Sequence, residues 1–162
     1  MVHSVMGSMH AIAALAAIVL GFAVTVLPKG RAPHRLLGLA YLFAMLMTNV
    51  SALTIYDLTR GFNLFHAFAL LSLFLVLTGL LMPIARPRNW VFHHAHLMGW
   101  SYLGLLAAAM NEAAIRLPLH VDTPPRILAV GALLAVATGL VGAVLRPRWE
   151  RAALKLAPAG RR

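Results

Sequence analysis

The sequence predicts an all-α, polytopic membrane protein with five transmembrane helices, four of them forming a bundle core. Three observations predict it. Of the 162 residues, 61% are apolar, well above the roughly 45–50% of soluble domains. Only 14 basic and 4 acidic residues are present, and they gather in short clusters. Between the clusters run uncharged apolar stretches close to or beyond the roughly 20 residues that cross a bilayer.

The first span covers residues 10–27 and ends at Pro28-Lys29-Gly30-Arg31. The second, residues 36–56, stops at Asp57 and Arg60, and the third, 62–84, at Arg86-Pro87-Arg88. The fourth, 92–115, closes at Arg116 and Pro118, and the fifth, 127–145, at Arg146-Pro147-Arg148. Charge and proline clusters of this kind end spans, and the short connections make consecutive helices antiparallel neighbours. The chain is then one transmembrane domain over residues 1–145 with a basic cytoplasmic tail over 146–162.

Orientation follows from lysine and arginine. The side holding the first loop, the third loop and the tail carries Lys29, Arg31, Arg35, Arg86, Arg88, Arg146, Arg148, Arg151, Lys155, Arg161 and Arg162, while the other side carries Arg60, Arg116 and Arg126. The positive-inside rule places the N-terminus outside and the C-terminus in the cytoplasm. The tail then rests on anionic lipid. A net charge of +10 does not signal nucleic acid, because these charges mark loops rather than a basic face on a soluble fold. Met1 to Met9 hold no positive residue, so the first apolar run is expected to stay as a span rather than leave as a signal peptide.

The absence of cysteine excludes disulfides, Fe–S clusters, Cys-ligated zinc and thiol nucleophiles. No Gly-rich phosphate loop, His-Glu-x-x-His pair or serine elbow is present, so no enzyme signature competes for the chemistry.

Chemistry is left to eight histidines, since ionisable groups at membrane depth are candidate functional residues. His34 opens the second span, and His93, His94 and His96 open the fourth, on the cytoplasmic side. His10 opens the first and His66 lies one turn into the third, on the outer side; His3 and His120 fall in loops. From His10 through Pro28 to His34, and from His66 through Pro83 to His93, the chain reads as a weak internal duplication. Facing histidines in a bundle are what axial ligation of a b-type haem requires. The inner site would pair His34 with His93 or His96, and the outer site His10 with His66. Gly21, Gly38, Gly79, Gly99 and Gly104 would leave room for the macrocycle, and Lys29, Arg31 and above all Arg35 would meet its carboxylates. Two such haems, one per leaflet, would carry electrons across the membrane.

A second reading competes on the same residues. Glycines in spans serve close helix packing, basic residues at span ends snorkel to the interface, and histidines near headgroups serve structural or proton-handling roles. A third is a zinc or copper site built on His93, His94 and His96 with His34 or Met98 added. On a helix His94 points about 100° away from His93 and His96, so this site needs a loop conformation after Arg88-Asn89-Trp90. Met45, Met47, Met82 and Met110 read as core filler. At the outer ends, Glu112 and Arg116 are spaced for an ion pair, beside Asn111, and Thr48, Asn49 and Ser51 are expected to bond between helices.

The run Pro28-Lys29-Gly30-Arg31-Ala32-Pro33-His34-Arg35-Leu36-Leu37-Gly38, followed by Tyr41, resembles the first loop in a family of small bacterial membrane proteins classed as a domain of unknown function. There a Lys-Gly turn leads to His-Arg-x-x-Gly. His66 early in the third span and the His-rich start of the fourth, with His94 four residues before Met98, fit the same pattern, over roughly residues 7–145. The resemblance implies a polytopic inner-membrane protein with no established activity. The architecture is more loosely similar to two-haem transmembrane cytochrome b proteins. Besides membrane lipid, a homodimer or a larger membrane complex is the expected setting, with electron donor and acceptor unnamed by the sequence. The alternative function is a non-enzymatic protein that binds or moves a transition metal, or an accessory subunit.

Overall fold

The computed structural model describes residues 5–56 and 61–116, together with positions 133, 136, 137, 139, 140, 142–144, 147 and 151. Among these residues all repetitive structure is helical: α1 (Val5–Val26), α2 (Ala32–Ala52), α3 (Leu64–Ala85) and α4 (Trp90–Arg116). Asp57, Arg60, His3, His120, Arg126 and Lys155 lie outside the described residues. Of the fifth predicted span, residues 127–145, the described positions are helical, as are 147 and 151 in the tail. The chain divides into two compact units, Met1–Val76 and Leu77–Arg162.

α1, α2 and α3 are long and apolar enough to cross a membrane. A helix of 22 residues, the length of α1 and α3, rises about 33 Å, the thickness of the hydrocarbon core. α4 is longer, at 27 residues, yet it is not among these three. Charge clusters mark it as a span by length alone; His93, His94, His96, Asn111 and Glu112 lie inside α4 and lower its hydropathy.

In the first unit α1 packs on α2. The buried positions of α1 are small, Ala17 and Gly21, which lets a neighbouring backbone approach. Those of α2 are Tyr41, Ala44, Met45, Thr48, Asn49 and Ser51, an i, i+3, i+4, i+7 stripe. Polar side chains therefore lie inside while Ile12, Leu15, Phe22, Leu39 and Phe43 are exposed, an arrangement suited to lipid rather than water as the surrounding solvent. The expectation that Thr48, Asn49 and Ser51 bond between helices holds for Ser51, whose Oγ lies 3.0 Å from His10 Nδ1 on α1, while Thr48 and Asn49 donate within α2. Thr48 Oγ1 donates to the carbonyl of Ala44 at 2.8 Å, Asn49 Nδ2 to that of Met45 at 2.8 Å, and Ser51 Oγ to that of Met47 at 2.6 Å. Each turns back on its own helix, where an acceptor is always in reach.

The first loop is built by its charged motif. Gly30 has φ +78°, a conformation that L side chains rarely adopt, and Pro33 sits in the first turn of α2, where its missing N–H costs nothing. Lys29 Nζ donates to the carbonyls of Val24 and Thr25 at 2.6 and 2.7 Å, capping the negative end of α1. Burial holds its pKa below the ordinary lysine value. In the loop between α3 and α4, Arg86 and Asn89 take left-handed conformations, φ 49° and 60°.

In the second unit a Cβ at Gly142 would strike the indole of Trp100 on α4. Gly142→Leu is therefore expected to lower the midpoint of thermal unfolding in detergent, an overpacking cost of about 1–3 kcal/mol. Gly139→Leu, where nothing lies within 4 Å of the added carbon, is expected to leave that midpoint unchanged.

Candidate functional site: the membrane histidines

Two of the predicted outer residues, His10 and His66, belong to the first unit. His10 lies in the second turn of α1, with Nδ1 at 3.0 Å from the carbonyl oxygen of Thr48 and 3.0 Å from Ser51 Oγ on α2. A carbonyl only accepts, and the Ser51 hydroxyl already donates to Met47. Nδ1 therefore carries the hydrogen, and in the neutral ring the lone pair rests on Nε2. This imidazole ties α1 to α2 through the Thr48 carbonyl and the Ser51 side chain.

His66 is held by the start of α3. Asn63 is the cap residue; its Oδ1 accepts from the backbone N–H of Phe65 at 2.9 Å and of His66 at 3.4 Å. The Asn63 N–H donates in return to His66 Nδ1 at 3.3 Å. This is a capping box with histidine in the place usually taken by Glu or Gln. The ring stacks on Tyr56, centroids 4.6 Å apart, and meets Phe62 at 5.3 Å. His66 is 2% exposed, and its Nε2 is buried without a hydrogen-bond partner. An orphaned polar atom of this kind costs about 1–3 kcal/mol. Removing the other half of the box, by Asn63→Ala, is expected to lower stability by about 1 kcal/mol, read as a fall in the unfolding midpoint in detergent.

The second unit holds the histidines of α4. Because α4 begins at Trp90, His93, His94 and His96 are all helical, and the loop conformation required for a three-imidazole metal site is not adopted. His93 is exposed beside Phe92. His96 stacks on Phe92 at 5.2 Å and meets the Trp100 ring edge-on. His94 turns to α3, with Nδ1 at 2.8 Å from the carbonyl oxygen of Gly79. That carbonyl needs the bond. Pro83 lies inside α3 and has no N–H to give to residue 79, four positions earlier.

Gly79 was expected to leave space for a macrocycle, and this is corrected. A Cβ built there would lie 2.7 Å from Met98 Sδ and 3.4 Å from Leu97 Cβ, so Gly79 is a packing glycine. His94 and Met98, the two residues of the predicted metal site outside the haem pairs, both lie on it. Gly38 and Gly104 do have open space beside them. Among the described residues no three His, Asp or Glu side chains group as metal ligands.

The model for predicted membrane proteins of the DUF2306 family matches residues 7–146, which takes in α1 from Gly7 onward and the whole of α2 to α4. The chain belongs to that family. No curated protein and no solved structure matches it.

In this DUF2306 protein the loop motif places His34, half-buried, and Arg35, exposed, in the first turn of α2. Lys29 does not wait for a ligand carboxylate, since its ammonium caps α1. The predicted inner pairing of His34 with His93 or His96 takes one residue from each unit. Glu112 is exposed, and the Arg116 side chain lies outside the described residues. Sequence reasoning missed two devices that the DUF2306 chain does spell out: Asn63-Leu-Phe-His66 as a cap, and Gly79 four residues before Pro83 as a bare carbonyl.

Proposed function

We propose that this protein is an integral inner-membrane electron carrier of the b-type cytochrome kind, with its N-terminus outside and His10 and His66 as the haem-ligating pair near the outer face. Orientation rests on the asymmetry of basic residues between loops. The observation that carries the haem reading is the orphaned Nε2 of His66, buried and unpartnered beside two aromatic rings. A histidine nitrogen meant for a metal has this appearance when its bond is not made. His10 supports it, because its Nδ1–H is anchored on a carbonyl and the lone pair of the neutral ring is on Nε2, the arrangement typical of metal-bound imidazole.

The donor set favours haem over a bare ion. Zinc or copper held by side chains alone takes three or four protein ligands, whereas a porphyrin supplies four nitrogens itself and asks the protein for one or two. Ligation at His66 Nε2 requires the proton of the neutral ring to move to Nδ1. The Asn63 contact it would displace is already long for an N–H donor, at 3.3 Å. Bound haem would supply reversible one-electron chemistry; the chain supplies imidazoles, apolar surroundings and helix ends at both faces.

The test is a pyridine haemochromogen assay with elemental analysis on protein purified in detergent from cells fed a haem precursor. Iron present as haem, lost in part from His10→Ala, is the expected result. Zinc or copper without iron would overturn the reading in favour of a metal-binding protein, and none of the three would leave an accessory membrane subunit.

A further inference from the structure

We propose that α1 and α2 form a thioether site for a soft monovalent cation, Cu(I), where α1 begins and α2 ends. Three methionines of the first unit carry the argument. Met6 and Met9 stand three residues apart and share one face of α1, Met47 comes from α2, and all three line one groove of about 440 Å³. They are 42%, 54% and 40% exposed. The expectation of core filler holds for Met45, which is 1% exposed, and fails for Met47.

The rest of the lining offers little else to a ligand. Phe43 and its neighbours are apolar, and the hydroxyls of Ser51 and Thr54 already donate to backbone carbonyls. Among the described residues no carboxylate or imidazole lines the groove. Hard cations that need oxygen ligands therefore find no match there, and zinc lacks the imidazole or carboxylate it takes in a chain without cysteine. Thioether sulfur is soft and selects Cu(I). Charge points the same way, because neutral ligands leave the ion its whole charge in apolar surroundings, which costs less for one charge than for two.

Met6 and Met9 lie in the first two turns of α1, so an ion reaches them at a helix end without crossing the hydrocarbon. The bonds from His10 Nδ1 to the Thr48 carbonyl and to Ser51 Oγ, both 3.0 Å, fasten the two walls at this level, and the groove is formed before the ion enters. Methionine side chains, long and unbranched, can then close on it. No histidine is a ligand, so the site stands apart from the haem reading.

The experiment uses the full chain in detergent, free of oxygen, titrated by calorimetry with Cu(I) supplied as its acetonitrile complex. The wild type is expected to bind one Cu(I) per chain and to keep it in excess Zn(II). Met6→Leu, Met9→Leu and Met47→Leu are each expected to weaken binding about tenfold, or about 1.4 kcal/mol, and the triple variant to lose it. Leucine replaces methionine at nearly constant volume, so the unfolding midpoints of these variants are expected to stay with the wild type. Met45→Leu and Met110→Leu, one buried and one exposed methionine outside the groove, are expected to keep full affinity.

X-ray absorption at the copper edge supplies a second readout on the wild type, with a shell of sulfur neighbours expected. Undiminished binding in the triple variant, a shell of nitrogen neighbours alone, or no uptake by the wild type would each overturn the site. Cu(I) held in a sulfur shell by protein that carries no iron would support it while the haem reading fell.

Discussion

His66→Gln is expected to abolish the outer haem without unfolding α3. His66 does two things with two nitrogens: Nδ1 accepts from the cap residue Asn63, and Nε2 stands buried with no partner. Glutamine is an ordinary third residue of a capping box, so its side-chain oxygen can take over the first task, but it offers no imidazole for the second. His66→Ala loses both and is expected to be less stable than His66→Gln by about 1 kcal/mol, the usual worth of a capping interaction. Haem content should fall equally in the two variants. If the only role of His66 were to cap α3, His66→Gln would retain the wild-type spectrum.

The second large effect is expected at Gly79. Gly79→Ala is mild, since the nearest obstruction is the thioether of Met98, the mobile end of a flexible side chain. Gly79→Leu has no such escape, with Met98 Cγ at 3.2 Å and Leu97 Cβ at 3.4 Å from the first added carbon. Overpacking costs about 1–3 kcal/mol. Prising α4 away also breaks the bond from His94, and the carbonyl bared by Pro83 then has no donor; a buried acceptor left so costs about 1–3 kcal/mol more. The variant is expected to leave detergent size-exclusion chromatography as aggregate, while Gly79→Ala elutes with the wild type.

Helix positions were legible in the sequence because charge and proline clusters mark their ends. The first and fourth predicted spans, 10–27 and 92–115, fall inside or nearly inside α1 and α4. α2 starts earlier than predicted, at Ala32, because Pro33 is tolerated in a first turn and the charges that seemed to exclude residues 32–35 lie at the helix mouth. Interactions along one helix were also readable in principle: Asn63 three residues before His66 is a cap signal, and Gly79 four residues before Pro83 marks a bare carbonyl. What periodicity does not carry is which neighbour answers. Nothing in spacing says that His94 rather than His93 turns toward α3, or that His10 reaches Thr48.

The predicted duplication illustrates the same boundary. Both units bring an imidazole to a backbone carbonyl of the adjoining helix. In the first the outgoing α1 supplies it to α2; in the second the returning α4 supplies it to α3. The pattern of histidine, proline and histidine is repeated in the sequence, while the direction of the bond is reversed.

The most direct measurement is the absorption spectrum of the purified full-length protein, oxidised and then dithionite-reduced, after expression with a haem precursor. The account predicts a Soret band that sharpens and a b-type α band that rises on reduction, at near-stoichiometric haem, with the signal diminished in His10→Ala and His66→Gln. A folded, monodisperse protein that stays colourless in both states would contradict it, and would leave the histidines to the structural bonds they make within and between helices.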